Sequence, residues 1–389
     1  MREIAENRNN AGQQSIELEQ RIYACWLDTI YWLTREAKYR LLETAGNVRD
    51  IYEMSEERIA SAIGLQNCRR FLQHRRQCDP QRIWSSLAGL GISYTCCLSN
   101  DYPSGLANIP DPPFGLFYKG KLPDEKAPAV AVIGARKCSE YGRCMAERFS
   151  EALALQGVTI ISGMAMGIDG ISQSAALKAG GSSYAVLGCG ADIIYPKSNE
   201  ALYRQLVEKG GILSEYPPGM EPRPALFPPR NRIISALSDV VLVVEAREKS
   251  GTLITVDTAL EQGKEVYVVP GRCTDTLSTG CNRLLRQGAA AAVAPEDIIE
   301  DMHWQVKKPQ DRKTDRQELS LSKTAQELYS LMDIMPASRE EIIRRLRENG
   351  KAYTLPQICQ GFVELELKGV SVCQNGQYCL SAKAALDRQ

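Results

Sequence analysis

Between Ala129 and Ile299 the chain repeats one pattern: a short, largely apolar run, a loop of small residues, then apolar positions at helical spacing. The runs are "AVAVIG" from Ala129, "VTIIS" (Val158 to Ser162), "SYAVLG" (Ser183 to Gly188), "DVVLVVEA" (Asp239 to Ala246) and "EVYVVPG" (Glu265 to Gly271). After the first run, Met145, Phe149, Ala152 and Leu153 fall on one helical face. A strand that is apolar at every position needs both faces covered, which is the condition of a parallel sheet with helices on either side. The repeat therefore predicts an α/β domain with a doubly wound, mostly parallel sheet.

The flanks read differently. Residues 1–16 form a polar tail, and 17–91 read as short helices closed by Gly46 and Gly64, a module of SAM or helix-hairpin-helix type whose role stays open. The α/β domain is placed at 92–303. A charged, proline-bearing linker, containing "QVKKPQDRKTDRQE", covers 304–320. Over 321–384 the spacing predicts helices at Ser322 to Met332, Ser338 to Asn349 and Leu355 to Leu367. Two strands joined by an Asn375-Gly376 turn follow, a winged helix in outline. Ser338 and Glu341 have the spacing of a capping box.

Composition removes several classes of function. Lys plus Arg and Asp plus Glu are each 47, so attraction to a polyanion has to come from local clustering. The 13 cysteines contain no Cys-x-x-Cys and read as free, mostly buried thiols, and the two histidines, His74 and His303, leave no zinc or Ser-His-Asp pattern. No apolar window is long enough for a membrane span, and the N-terminus has no apolar signal core, so a cytoplasmic protein is expected. No cofactor is expected: G-x-G-x-x-G and G-K-[ST] are both missing.

Ligands of open α/β sheets collect beyond the carboxyl ends of the strands. There the sequence places Gly134, Arg136 and Ser139 after the first run, and Gly163 and Gly167 after the second. Lys197 and Asn199 follow the third run, with Phe227, Arg230, Asn231 and Arg232 ahead of the fourth. Glycines admit close backbone approach, and the cations suit phosphate. Each feature also has a structural reading: tight βα turns need glycine, Asp169 and Asp192 serve as helix caps, and Phe227 plugs the end of the sheet. Cations interleaved with a ring at one edge favour single-stranded nucleic acid. Asp169, Glu215 and Glu245 lie near strand ends, where they either form an acid/base pair or orient the arginines; the second is favoured.

Taken in order, Gly134-x-Arg136-x-x-Ser139-x-Tyr141-Gly142, Ser162-Gly163-x-Ala165-x-Gly167-Ile168-Asp169, Tyr195-Pro196-x-x-Asn199 and Ser214-Glu215-Tyr216-Pro217-Pro218-Gly219 make a set. Phe227-Pro228-x-Arg230-Asn231-Arg232-Ile233-Ile234-Ser235, Glu245-Ala246, Ser250-Gly251-Thr252 and Pro270-Gly271 complete it. The sequence strongly resembles the DprA/Smf DNA-processing family from about Asp101 to Ile299. The resemblance implies a Rossmann-like domain that binds and protects single-stranded DNA without catalysis during natural transformation, loads the recombinase RecA on it, and acts as a homodimer. Carried over by motif, Arg136, Lys197, Arg230 and Arg232 grip phosphates, Phe227 meets a base, and Gly163, Gly167 and Asn231 shape the pocket.

Met166 and Gln173 depart from the arginine and histidine that many members carry, which puts one phosphate contact in doubt. Two alternatives belong to other classes. A nucleotide-hydrolysing enzyme of phosphoribohydrolase type would carry P-G-G-x-G-T-x-x-E, where this chain reads Glu248-Lys249-Ser250-Gly251-Thr252. A duplex-DNA binder would be led by the winged helix, through Arg344, Arg345 and Arg347.

Overall fold

The computed structural model describes residues 17–305, 321–374, 376–381 and 384. The polar tail, nearly all of the predicted linker and Asn375 of the predicted turn lie outside the described residues. At the centre is a nine-stranded sheet. Its strands are β1 (Ser93–Cys96), β2 (Gly115–Gly120), β3 (Ala129–Ile133), β4 (Thr159–Ser162), β5 (Ser183–Val186), β6 (Gly211–Ser214), β7 (Val240–Val243), β8 (Glu265–Val268) and β9 (Ala290–Ala291). They lie side by side in the order β1-β2-β6-β5-β4-β3-β7-β8-β9. From β6 to β9 every neighbouring pair is parallel, while β2 runs antiparallel to β6 and β1 antiparallel to β2.

The all-apolar runs are explained by burial on both faces. Val130, Val132, Val240 and Leu242 face the helix Glu140–Leu155 through Met145, Phe149 and Leu153. Their sequence neighbours Ala131, Ile133, Val241 and Val243 face Ile233, Ile234, Val256 and Ala259 on the opposite side. Each strand thus serves two cores with period two. The apolar-run pattern does not reveal β1, β2, β6 or β9. The first two are a short antiparallel edge in which glycine and polar residues interrupt the apolar ones, β6 opens on the second of the paired glycines Gly210 and Gly211, and β9 is only two residues long.

The helices over 17–91 pack around Trp26, Leu41, Ile51 and Phe71, and this cluster continues into Tyr94, Phe117, Ala185 and Ile212 of the sheet. A buried ion pair sits at the seam, with Lys38 Nζ 2.6 Å from Asp28, whose other oxygen accepts from the Tyr94 hydroxyl at 2.8 Å. At the other end, the helices Lys323–Leu331, Arg339–Glu348 and Leu355–Leu367 stand with a three-stranded sheet of Ala337–Ser338, Gln377–Leu380 and Ser371–Gln374. Ser338 accepts from the Glu341 amide at 3.1 Å as a cap, but the Glu341 carboxylate turns to Arg344 and Arg345 instead of back to the cap. All thirteen cysteines are free.

Candidate nucleic-acid interface

The strand order places the switch beside β3, where successive connections run first towards β4, β5 and β6 and then towards β7, β8 and β9. The predicted site residues lie on loops leaving β3, β4 and β5 and on the helix Phe227–Ala236 that returns the chain to β7. These loops emerge from adjacent strands, so their residues meet at one edge.

The loop after β4 is held by side chains. Gly167, at φ 76°, lies so close to the loop after β3 that a Cβ would overlap the Ala135 and Arg136 carbonyls, and the Ile168 amide donates to Ala135 O at 3.2 Å. Gln173, wholly buried, accepts from the Met164 amide at 3.0 Å and donates to Tyr184 O at 2.9 Å. Gln173, where the resemblance leads to histidine in many members, thus braces the loop here. Asn199 spans from the loop after β5, donating to Met164 O at 3.0 Å and Ala165 O at 3.2 Å. The Asp169 carboxylate accepts from the Gly163 amide at 3.2 Å. Burial pushes its pKa up, opposed by the Arg230 charge and by amide hydrogen bonds.

Arg230 is 4% exposed, and one of its terminal nitrogens donates to Gly163 O at 3.0 Å and to Val186 O. It ties the ends of β4 and β5 together beneath the surface. Gly163 is glycine for that reason: a Cβ there would occupy the space of the guanidinium. Above it lies the Phe227 ring, half-buried against Gly188, whose missing side chain makes room for it. The Arg230 and Arg136 guanidinium carbons stand 5.8 and 5.6 Å from the ring centroid, and the Tyr195 ring, 42% exposed, lies 5.7 Å away. Arg136 also makes the Arg230 charge harder to hold, adding to the burial that lowers its pKa.

Arg232 differs from the expectation of a free cation. It is 9% exposed, with Nε 2.9 Å from Asp111, one terminal nitrogen 2.6 Å from Glu215 and the other donating to Pro229 O at 3.2 Å. These carboxylates hold its charge firmly against the cost of burial. Glu215 orients an arginine, the role favoured for it, while Asp111 lies 121 residues away in sequence and gave no signal. Asn231 is half-buried one residue away, and Ser235 donates to its carbonyl at 3.4 Å. Arg136 and Lys197 are the exposed cations of the set.

Ser139 caps the helix Glu140–Leu155, accepting from the Gly142 amide at 3.1 Å. Its amide donates to Glu245 at 2.9 Å and its hydroxyl donates to the same carboxylate. Glu245 is fully buried, its pKa raised by burial and restrained by these bonds. It thus fixes a loop and not an arginine. Gly134 closes this frame: its carbonyl accepts from Thr252 at 3.2 Å, and a Cβ would press on Ile168. Tyr195 stands in the Tyr-Pro motif but is not singled out by the sequence; only the fold brings its ring beside Phe227.

The family described as "DNA recombination-mediator protein A" matches residues 93–303, the whole sheet with its interface. The chain belongs to this family. "DNA processing protein DprA" of Streptococcus pneumoniae is 37% identical over 275 residues, 70% of this chain and 95% of that one. "Protein Smf" of Escherichia coli is 37% identical over 328 residues, 82% and 85% of the two chains. The X-ray structure of DprA from Streptococcus pneumoniae superposes with a TM-score of 0.63 at 36% identity, covering 71% of this chain and 95% of that one. The DprA/Smf resemblance and the Rossmann-like doubly wound fold both stand. None of the described helices is long and apolar enough to cross a membrane.

Proposed function

We propose that the protein binds single-stranded DNA at the Phe227 edge, without catalysis, and passes it to the recombinase RecA in recombination or natural transformation. One observation carries the reading: exposed Arg136 stands beside a ring pair, Phe227 and Tyr195, and exposed Lys197 follows Tyr195 by two residues, all beyond the carboxyl ends of parallel strands. A base has a face to stack on, worth about 1–3 kcal/mol, and the phosphates on either side have cations. Backbone contacts of this kind carry little sequence information, so binding should be indifferent to base order. Arg230 and Arg232 contribute from beneath, by holding the ring and the strand ends in place.

Family membership supports DNA as the partner. The RecA partnership, the homodimer through the Rossmann-like domain and the cytoplasmic setting rest on the family resemblance. Residues 17–91 are read as the SAM or helix-hairpin-helix module, 92–303 as the DNA-binding domain and 321–384 as a winged helix. In the last, Arg344 and Arg345 are engaged by Glu341, which lessens the pull of that helix on a duplex.

The test is fluorescence anisotropy on a labelled strand and its duplex across a salt series, with Arg136→Ala and Lys197→Ala. Strand-selective, salt-weakened binding that falls about tenfold in either variant supports the reading. Equal binding to duplex, or variants that bind as wild type, overturns it. Stimulation of RecA assembly on a coated strand then tests the hand-over.

A further inference from the structure

The helix Leu65–Gln77, "LQNCRRFLQHRRQ", contains no acidic residue. Cys68, Phe71 and Leu72 are buried against the module, while Gln66, Arg69, Arg70, Gln73, Arg76 and Gln77 face solvent. At spacings of three, four and seven these side chains form one continuous band of arginine and glutamine. In a chain whose charges balance at 47 each, such a band is a local concentration of one sign. Elsewhere in the same module the exposed Arg49 is neutralised by Glu19 and Glu53, but none of the ion pairs among the described residues engages Arg69, Arg70 or Arg76.

The band is also held in place by an aromatic ring. The Arg70 guanidinium carbon lies 4.0 Å from the Trp32 ring centroid. Stacking fixes a long side chain in advance, which lowers the entropy lost when it meets a phosphate. Trp32 also ties the band to the interface already described. It lies three residues, on the order of 11 Å of chain, from Arg35. Arg35 in turn stands 2.8 Å from Asp111 and donates to Pro110 O at 3.3 Å, and Asp111 is the partner of Arg232 on the Phe227 helix.

We propose that the Arg69–Arg70–Arg76 face is a second phosphate-binding surface, which takes the continuation of a single strand seated at Phe227. This rests on the strand-binding reading of that site. A membrane is disfavoured because the apolar side of this helix is spent on the module core, leaving nothing to insert between lipids. Arginine and glutamine instead match a partner that offers phosphate oxygens with base edges between them.

The test uses the full chain and labelled oligothymidylates of about six and about thirty nucleotides, the shorter matched to a single site. Arg69→Gln/Arg76→Gln leaves the Arg70–Trp32 stack intact. It should leave the short strand within about twofold of wild type and weaken the long strand about tenfold. The dependence of log affinity on log salt for the long strand should become shallower by about 1.4, at about 0.7 per phosphate contact. An unchanged long-strand affinity and slope, or an equal loss on both lengths, overturns the proposal. So does loss of binding to phosphatidylserine vesicles with both strands unaffected. A wild-type chain that binds neither length brings down the Phe227 reading itself. One that binds the short strand as tightly as the long, and loses both in Arg136→Ala, brings down only the second surface.

Discussion

Arg136, on the loop after β3, stands in solvent with the Phe227 ring beside it, whereas Arg230 and Arg232, on the Phe227–Ala236 helix, are buried and hydrogen-bonded within the protein. All reach the same edge of the same sheet. The difference lies in what surrounds them: a buried guanidinium must be matched by carbonyls or carboxylates, and once matched has little left for a ligand. Position at the functional edge therefore does not make a cation a ligand group. The buried pair holds the edge together beneath the exposed Arg136 and Lys197.

That contrast is most sharply broken at Arg230. Arg230→Ala should cost about 3–4 kcal/mol in urea unfolding, because the Gly163 and Val186 carbonyls lose their donor and the buried Asp169 loses its compensating charge. Gly163→Ala attacks the same contact from the other side and should cost about 1–3 kcal/mol by overpacking, since the guanidinium it meets is pinned. If either variant unfolds as wild type while strand binding is lost, Arg230 contacts DNA directly.

Arg232→Ala should cost about 1–2 kcal/mol, less than Arg230, because Asp111 is half exposed and Glu215 retains access to water. Its strand affinity should fall only as far as the fold loosens. A loss of binding at unchanged urea midpoint would return it to the phosphate grip suggested by the family motif.

Glu245 supports the exposed loop from below, and its effect is read through pH. Burial raises its pKa, so the folded protein keeps that proton to higher pH than the unfolded chain. The resulting stability is full below the unfolded carboxyl range and is lost as pH rises through the folded value. Glu245→Gln should remove this part of the fall in urea midpoint between the acid range and neutrality. Asp169, shifted in the same direction, should leave the remainder. An unaltered pH profile would mean that Glu245 is not protonated in the fold.

The smallest stability effect belongs to Arg136→Ala, within about 0.5 kcal/mol of wild type. The same change should lower strand affinity about tenfold and flatten the salt dependence by about 0.7, measured by anisotropy. A stability loss comparable to that of Arg232→Ala would erase the distinction between the two regions.

The sequence by itself determined the central sheet, because a strand buried on both faces must be largely apolar, and β3, β4, β5, β7 and β8 all carry such runs, β3 and β7 without interruption. It also set glycines and cations after those strands, at the edge proposed to bind single-stranded DNA, and it marked the three C-terminal helices to within a residue or so at their ends. It did not mark β6, whose two apolar residues Ile212 and Leu213 stand between paired glycines and Ser214, or the antiparallel β1 and β2, where glycine and polar residues interrupt the apolar ones. Only the tertiary structure decided which arginines are free. Asp111 meets Arg232 across 121 residues, Gly163 and Val186 meet Arg230 from two strands, and Arg136 meets no carboxylate among the ion pairs of the described residues. Burial and pairing depend on what folding brings alongside a charge, and residue type carries no record of that.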